Sequence, residues 1–198
     1  MLRLIKIVHG ICFLMLLGGC SNGLSFEEYT QFLSNPKNGY RQKINLQPYQ
    51  LEIEYQPAVY TAYRKSGGDS KVYQKFLKED KQLLFFQMKL GLQNGGDMLT
   101  ALAQSQADYQ DLVYYFSYTF QKGIFLKQGK HKYPCVLFHF ERSYDLHGSK
   151  NFVLAFENNT SQVSPQVSPG KLCIEAPDIG IPLTEITFEI QDIPELTL

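Results

Sequence analysis

The sequence predicts an α+β fold in which an antiparallel β-sheet of about 6–8 strands carries a few short helices on one face. Three observations lead there. The chain of 198 residues is rich in Tyr (13) and Phe (14) and has no Trp, and such residues fit a pleated, half-buried surface. Several segments alternate apolar and polar residues with a period of two. Short connectors containing Gly, Pro or Asn separate them, which suits hairpins rather than crossovers.

The elements follow in order. Residues 20–24 form a tether. Ser25-Phe26-Glu27-Glu28 has the spacing of a capping box, and a helix over 26–34 presents Phe26, Tyr29 and Phe32/Leu33 on one stripe. Asn35-Pro36-Lys37-Asn38-Gly39 stops it. Ile44 and Leu46, then Leu51, Ile53 and Tyr55, read as one strand kinked or bulged at Pro48, polar on its other face. Pro57 opens a helical turn through Arg64, and Ser66-Gly67-Gly68-Asp69 is a loop. Ser70 then caps a second helix, over 71–80. Residues 81–93 alternate with Leu84, Phe86, Met88, Leu90 and Leu92 on one face, and Asn94-Gly95-Gly96 stops that strand. Residues 97–113 are helical or irregular. Four strands are expected over 114–122, 124–128, 133–143 and 151–157, and two more over 171–175 and 184–190. The stretch 158–170 contains Gln-Val-Ser-Pro twice and reads as a flexible loop inserted between strands. Residues 25–198 are thus expected to form a single domain.

The first residues have a different character. Arg3 and Lys6 supply a positive start, residues 7–17 are apolar apart from His9 and Gly10, and Leu17-Gly18-Gly19-Cys20 closes the run. The apolar run is shorter than the roughly 20 residues that cross a bilayer comfortably. Its cationic flank is the kind retained on the cytoplasmic side, and the small residues let a peptidase approach the backbone. This stretch resembles the lipobox of bacterial lipoproteins, with Gly18 where that class usually has Ala or Ser. The resemblance implies a signal peptide over 1–19, diacylglycerol on the Cys20 thiol, cleavage before Cys20 and acylation of the new amino group. It also implies a protein anchored to the lipid bilayer through acylated Cys20. Ser21, rather than Asp, implies the outer membrane, and the lack of an acidic cluster directly after Cys20 implies its periplasmic face.

Such a cleavage removes two positive charges and no acid, taking the formal net charge from 0 to −2. A chain without excess positive charge lacks the footprint needed to neutralise nucleic-acid phosphates. Cys12 leaves with the signal and Cys20 carries lipid, so Cys135 and Cys173 remain. They are candidates for a disulfide in an oxidising compartment, where it would close a loop of about 38 residues, or for two buried thiols packed as small hydrophobes.

Catalytic spacings are absent: the sequence has no Gly-x-Ser-x-Gly, His-Glu-x-x-His, Cys-x-x-Cys or phosphate-cradling Gly-rich loop. Gly68-Asp69-Ser70 is similar to the Gly-Asp-Ser start of one esterase family, but Asp145-Leu146-His147 lacks that family's later Asp-x-x-His spacing. The remaining site candidate is the strand around His139. Alternation puts Cys135, Leu137, His139 and Glu141 on one face, with His131 and His147 at either end of the region. Imidazoles and a carboxylate hold zinc only if the fold brings them within about 2.1 Å of one ion. Tyr109, Tyr114, Tyr115, Phe116, Tyr118, Phe120 and Phe125 form an aromatic-dense stretch suited to core packing, a partner surface or stacking on sugars. The overall expectation is an exported, lipid-anchored protein that acts as a partner-binding or structural component of the cell envelope, with an envelope protein as partner and without a cofactor or catalytic activity. The alternatives are a small-ligand or glycan-binding protein with a concave sheet lined by tyrosines, and an envelope hydrolase using His139 and Glu141.

Overall fold

A computed structural model describes residues 23–141, 148–158, 170–190 and 194–197. The expected signal peptide, Cys20, His147 and most of the expected 158–170 loop lie outside them. The fold is α+β, as expected, but its strands divide between two antiparallel sheets rather than one.

Helix α1 (Phe26–Ser34) starts at the anticipated capping box: Ser25 Oγ accepts from the Glu28 amide, and the Glu28 carboxylate accepts from the Ser25 amide at 2.9 Å. Strands β1 (Arg41–Leu46) and β2 (Tyr49–Gln56) form a hairpin. The expected single kinked strand is therefore two strands, because residues 47–48, joined by a cis peptide bond, make the turn between them. Helix α2 (Ala58–Ser66) follows Pro57, and α3 (Ser70–Asp80) is capped by Asp69, one residue before the expected Ser70. The Asp69 carboxylate accepts from the amides of Lys71 and Val72, both at 2.9 Å. Strand β3 (Leu83–Leu92) leads to the short helices α4 (Met98–Leu102) and α5 (Gln106–Tyr114).

The expected strand over 114–122 is not a strand. The chain makes a π turn over Tyr115–Thr119 and a 3-10 turn over Phe120–Gly123. Aromatic residues at 114, 116, 118 and 120 fit a period of two. In the fold Phe116 and Phe120 are buried while Tyr114 and Tyr118 are exposed, which is the spacing of helical turns.

Strand β4 (Ile124–Gln128) pairs with β5 (His131–Pro134). The expected strand over 133–143 is cut in two at this point. Pro134 has no N–H with which to continue a ladder. The chain crosses through Cys135 and Val136, whose amide donates to the Ala155 carbonyl at 2.9 Å, and enters the other sheet as β6 (Leu137–Glu141). Strands β7 (Lys150–Glu157), β8 (Lys171–Ala176) and β9 (Ile181–Thr187) complete the set. The sheet orders are β1-β2-β3-β7-β6 and β5-β4-β8-β9.

Side chains from both sheets and from α1, α2 and α4 belong to one buried cluster. One part is aromatic and tyrosine-rich, with Tyr29, Tyr40, Tyr55, Tyr60, Phe86 and Phe188. Burial pushes the Tyr55 phenol up to about 12 and raises that of Tyr29 further. The other part surrounds Phe152. The tyrosines of β2 therefore fill the core and do not line a concave ligand-binding sheet.

Candidate functional site

His139 and Glu141 lie on the same outward face of β6, with His139 exposed, as alternation requires. Their cross-strand partners on β7 are Val153 and Asn151. His131 stands on β5, in the other sheet, so the fold does not bring it to His139. Among the described residues, no group of three or more His, Cys, Asp and Glu side chains could hold a metal ion.

Cys135 and Cys173 are not bridged: both are free, buried thiols. The register explains this. Pro134 pairs with Phe125, and Phe125 pairs with Cys173, so one strand intervenes between the two cysteine-bearing segments. Two strand spacings are about 9.6 Å, beyond the roughly 7 Å that a disulfide spans between Cα atoms. The Cys135 thiol instead donates to the Leu137 carbonyl at 2.9 Å, and burial pushes it up to about 11. Burial also raises the Cys173 thiol, which is close to Glu185 and to Lys127, Lys132 and Lys171. Lys127 and Lys171 both donate to the Glu185 carboxylate, at 2.8 and 3.1 Å, and hold it below the usual carboxylate range.

The outward face of the larger sheet is polar. Arg41 pairs with Glu52, and a depression of about 300 Å³ is lined by these two with Glu54, Gln87, Lys89 and Asn151. Its charges alternate across the strands, with Glu52 opposite both Lys43 and Lys89.

A second hollow, of about 490 Å³, lies where α4 meets α5. It is lined by Thr100, Ala103, Gln104, Ser105, Gln106 and Tyr109, none of them charged. The elements around it are held by local bonds. Ser105 Oγ accepts from the Asp108 amide and the Asp108 carboxylate accepts from the Gln104 amide, both at 3.1 Å, a reciprocal cap that starts α5. Asp97 caps α4 by accepting from the Thr100 amide at 2.8 Å, and its second oxygen takes the Lys150 ammonium at 2.7 Å. Burial would raise the Asp97 carboxyl, but the Lys150 and Thr100 bonds outweigh it and hold the group below its ordinary value. Beyond α5, Tyr114 and Tyr118 are 63% and 61% exposed, with ring centroids 5.0 Å apart. Buried Phe116 and Phe120 fix the segment from beneath, and the Gln121 side-chain amide donates to the Cys135 carbonyl at 2.7 Å.

Lys150 is only 6% exposed, so Asp97 is both a cap and the counter-charge of a buried ammonium. Asp97→Ala removes both roles and is expected to cost about 2 kcal/mol, a value reduced because the carboxylate is partly in solvent. Asp97→Asn keeps an acceptor for the cap and is expected to lose less. Urea unfolding midpoints of the two variants check the order, and equal losses would rule out a separate contribution from the cap.

The sequence offered one sign of this second hollow, the Ser105-x-x-Asp108 spacing in a stretch without basic residues. Nothing local indicated that α4 and α5 would leave a hollow between them.

No family model matches the chain, and no curated protein does. Among solved structures it is similar to a novel protein of unknown function from Burkholderia pseudomallei K96243. The two are 10% identical, the match covers 84% of this chain and 90% of that one, and the TM-score is 0.35.

Proposed function

We propose that the chain is an exported lipoprotein, joined to the lipid bilayer through acylated Cys20, whose folded part binds another component of the cell envelope without catalysing a reaction. The observation that carries this reading is the order of the first twenty residues: a cationic start, a short apolar run, then Leu17-Gly18-Gly19-Cys20. Acyl chains bury methylenes at about 0.8 kcal/mol each, so two or three of them hold a protein to a bilayer durably. Ser21 favours the outer membrane, and the lack of an acidic cluster directly after Cys20 favours its periplasmic face.

Leu24 supports the geometry of such an anchor. Its amide donates to the Glu195 carbonyl and its carbonyl accepts from the Thr197 amide, both at 2.8 Å, which ties the first described residues to the C-terminal segment. The chain from Cys20 to Leu24 spans at most about 14 Å. The end of the fold that carries the start of α1 would then sit next to the membrane. Among the described residues, Val72, Tyr114, Tyr118, Val136, Leu137 and Leu183 are large apolar side chains exposed to a partner.

The test is Cys20→Ser in the full chain, followed by membrane fractionation and intact mass. The expected result is a protein lost from the membrane fraction and lacking the mass of the acyl groups. A variant that stays in the membrane fraction, with a mass changed only by the substitution itself, would overturn the reading.

A further inference from the structure

We infer that the surface running from the hollow between α4 and α5, along α5 to Tyr114 and Tyr118, binds an uncharged oligosaccharide chain. The inference deepens the proposed function by giving the chemistry of the envelope component that is bound, and its test does not involve the anchor.

Three features of this surface point the same way. The hollow is lined by Thr100, Gln104, Ser105 and Gln106, whose side chains carry hydroxyls and amides, and by the partly buried Tyr109. A sugar ring carries hydroxyls at its rim and an apolar C–H face, so it calls for hydrogen-bonding groups next to a flat aromatic surface. The surface then continues as a stripe: Gln106, Gln110, Tyr114 and Tyr118 recur every four residues, and all four are exposed. At 1.5 Å per residue the stripe extends for about 18 Å, a length that suits a chain of sugars better than a single one. Its far end is the tilted pair of Tyr114 and Tyr118, two adjacent rings open to solvent.

Charge separates this ligand from the other candidates. Residues 98–121 contain no Lys, Arg or His, and their only charges are Asp108 and Asp111. A phosphate- or carboxylate-bearing ligand would find no cation within this segment and would meet Asp111 on the exposed face of α5. The charged depression on the larger sheet has the opposite character, since Arg41 and Glu52 are already paired within it. The buried aromatics beneath the stripe, Phe116 and Phe120, hold it in place, so little ordering would be needed on binding.

The experiment uses the full chain in a detergent that contains no sugar, passed over chitin, cellulose and amylose beads. Retention is expected on at least one of them. It should persist in 1 M salt, because the surface has no ion pair to screen, and it should be competed by the matching soluble oligosaccharide. Tyr114→Ala combined with Tyr118→Ala is expected to weaken retention at least tenfold with no change in Tm, since both rings are largely in solvent. Gln106→Ala combined with Gln110→Ala gives a second reading of the same stripe should the tyrosine variant be less stable. Absence of retention on all three polymers would overturn the inference. So would retention that salt abolishes, or retention that both double variants leave intact at unchanged Tm. A protein crosslinked at the tyrosines of a chain that no polymer retains would overturn it in favour of a protein partner.

Discussion

Phe152→Ala is expected to lower the free energy of unfolding by about 3–5 kcal/mol, among the largest effects of any single truncation in this chain. Phe152 is fully buried on β7 and is ringed by four other phenylalanines. Phe140 stacks on it at 5.1 Å, and Phe120, Phe138 and Phe116 lie at 5.4, 5.6 and 6.0 Å. Truncation removes the transfer free energy of the ring and leaves a void that its neighbours cannot close. Phe140 and Phe138 are held in the β6 ladder, and Phe116 and Phe120 are held in the helical turns. Phe152→Leu fills most of that space and should fall well short of the full loss. Urea unfolding gives both values. A loss under 1 kcal/mol for Phe152→Ala would show that the five rings do not pack as a unit. Because Phe116 and Phe120 lie under the Tyr114–Tyr118 pair, the alanine variant is also expected to loosen the tyrosine surface.

The second large effect is expected at Gly39. Its φ of +80° is left-handed, which costs an L-residue about 1 kcal/mol or slightly more. Space is the greater obstacle. A Cβ there would lie 2.0 Å from the Glu189 carbonyl oxygen and 2.5 Å from its carbon, both backbone atoms. The segment after β9 would have to move, and with it Phe188, which is buried against Phe86 with ring centroids 5.3 Å apart. Gly39→Ala is therefore expected to cost about 3 kcal/mol or more, combining backbone strain with a disturbed core contact. Gly67→Ala is the control: its φ is +60°, but a Cβ there meets nothing within 4 Å, so only the conformational cost should appear. Equal losses in the two variants would refute the steric account.

The elements that sequence reasoning placed correctly are those whose signals are local. The Ser25–Glu28 box, the Pro57 helix start, the stop at Asn94-Gly95-Gly96 and the alternation of 83–92 each act within a few residues, and each is present in the fold. The outward direction of His139 and Glu141 was legible for the same reason. The failures came where one local pattern admits two structures. Residues 46–49 look the same as a bulged strand or as a hairpin turn until β2 is seen to pair with both β1 and β3. The aromatics at 114, 116, 118 and 120 satisfy both a strand and helical turns, and the space around Phe152 selects the second.

The sequence by itself determined the α+β class, most caps and turns, and which face of each strand is apolar, because these depend on propensity and spacing along the chain. Only the tertiary structure decided that the strands divide into two sheets, that Pro134 marks the passage between them, and that one strand lies between Cys135 and Cys173. It alone decided that α4 and α5 leave an uncharged hollow. Each of these rests on which distant segments pair. Pairing is settled by the summed burial of many side chains far apart in sequence, a quantity that no local pattern carries.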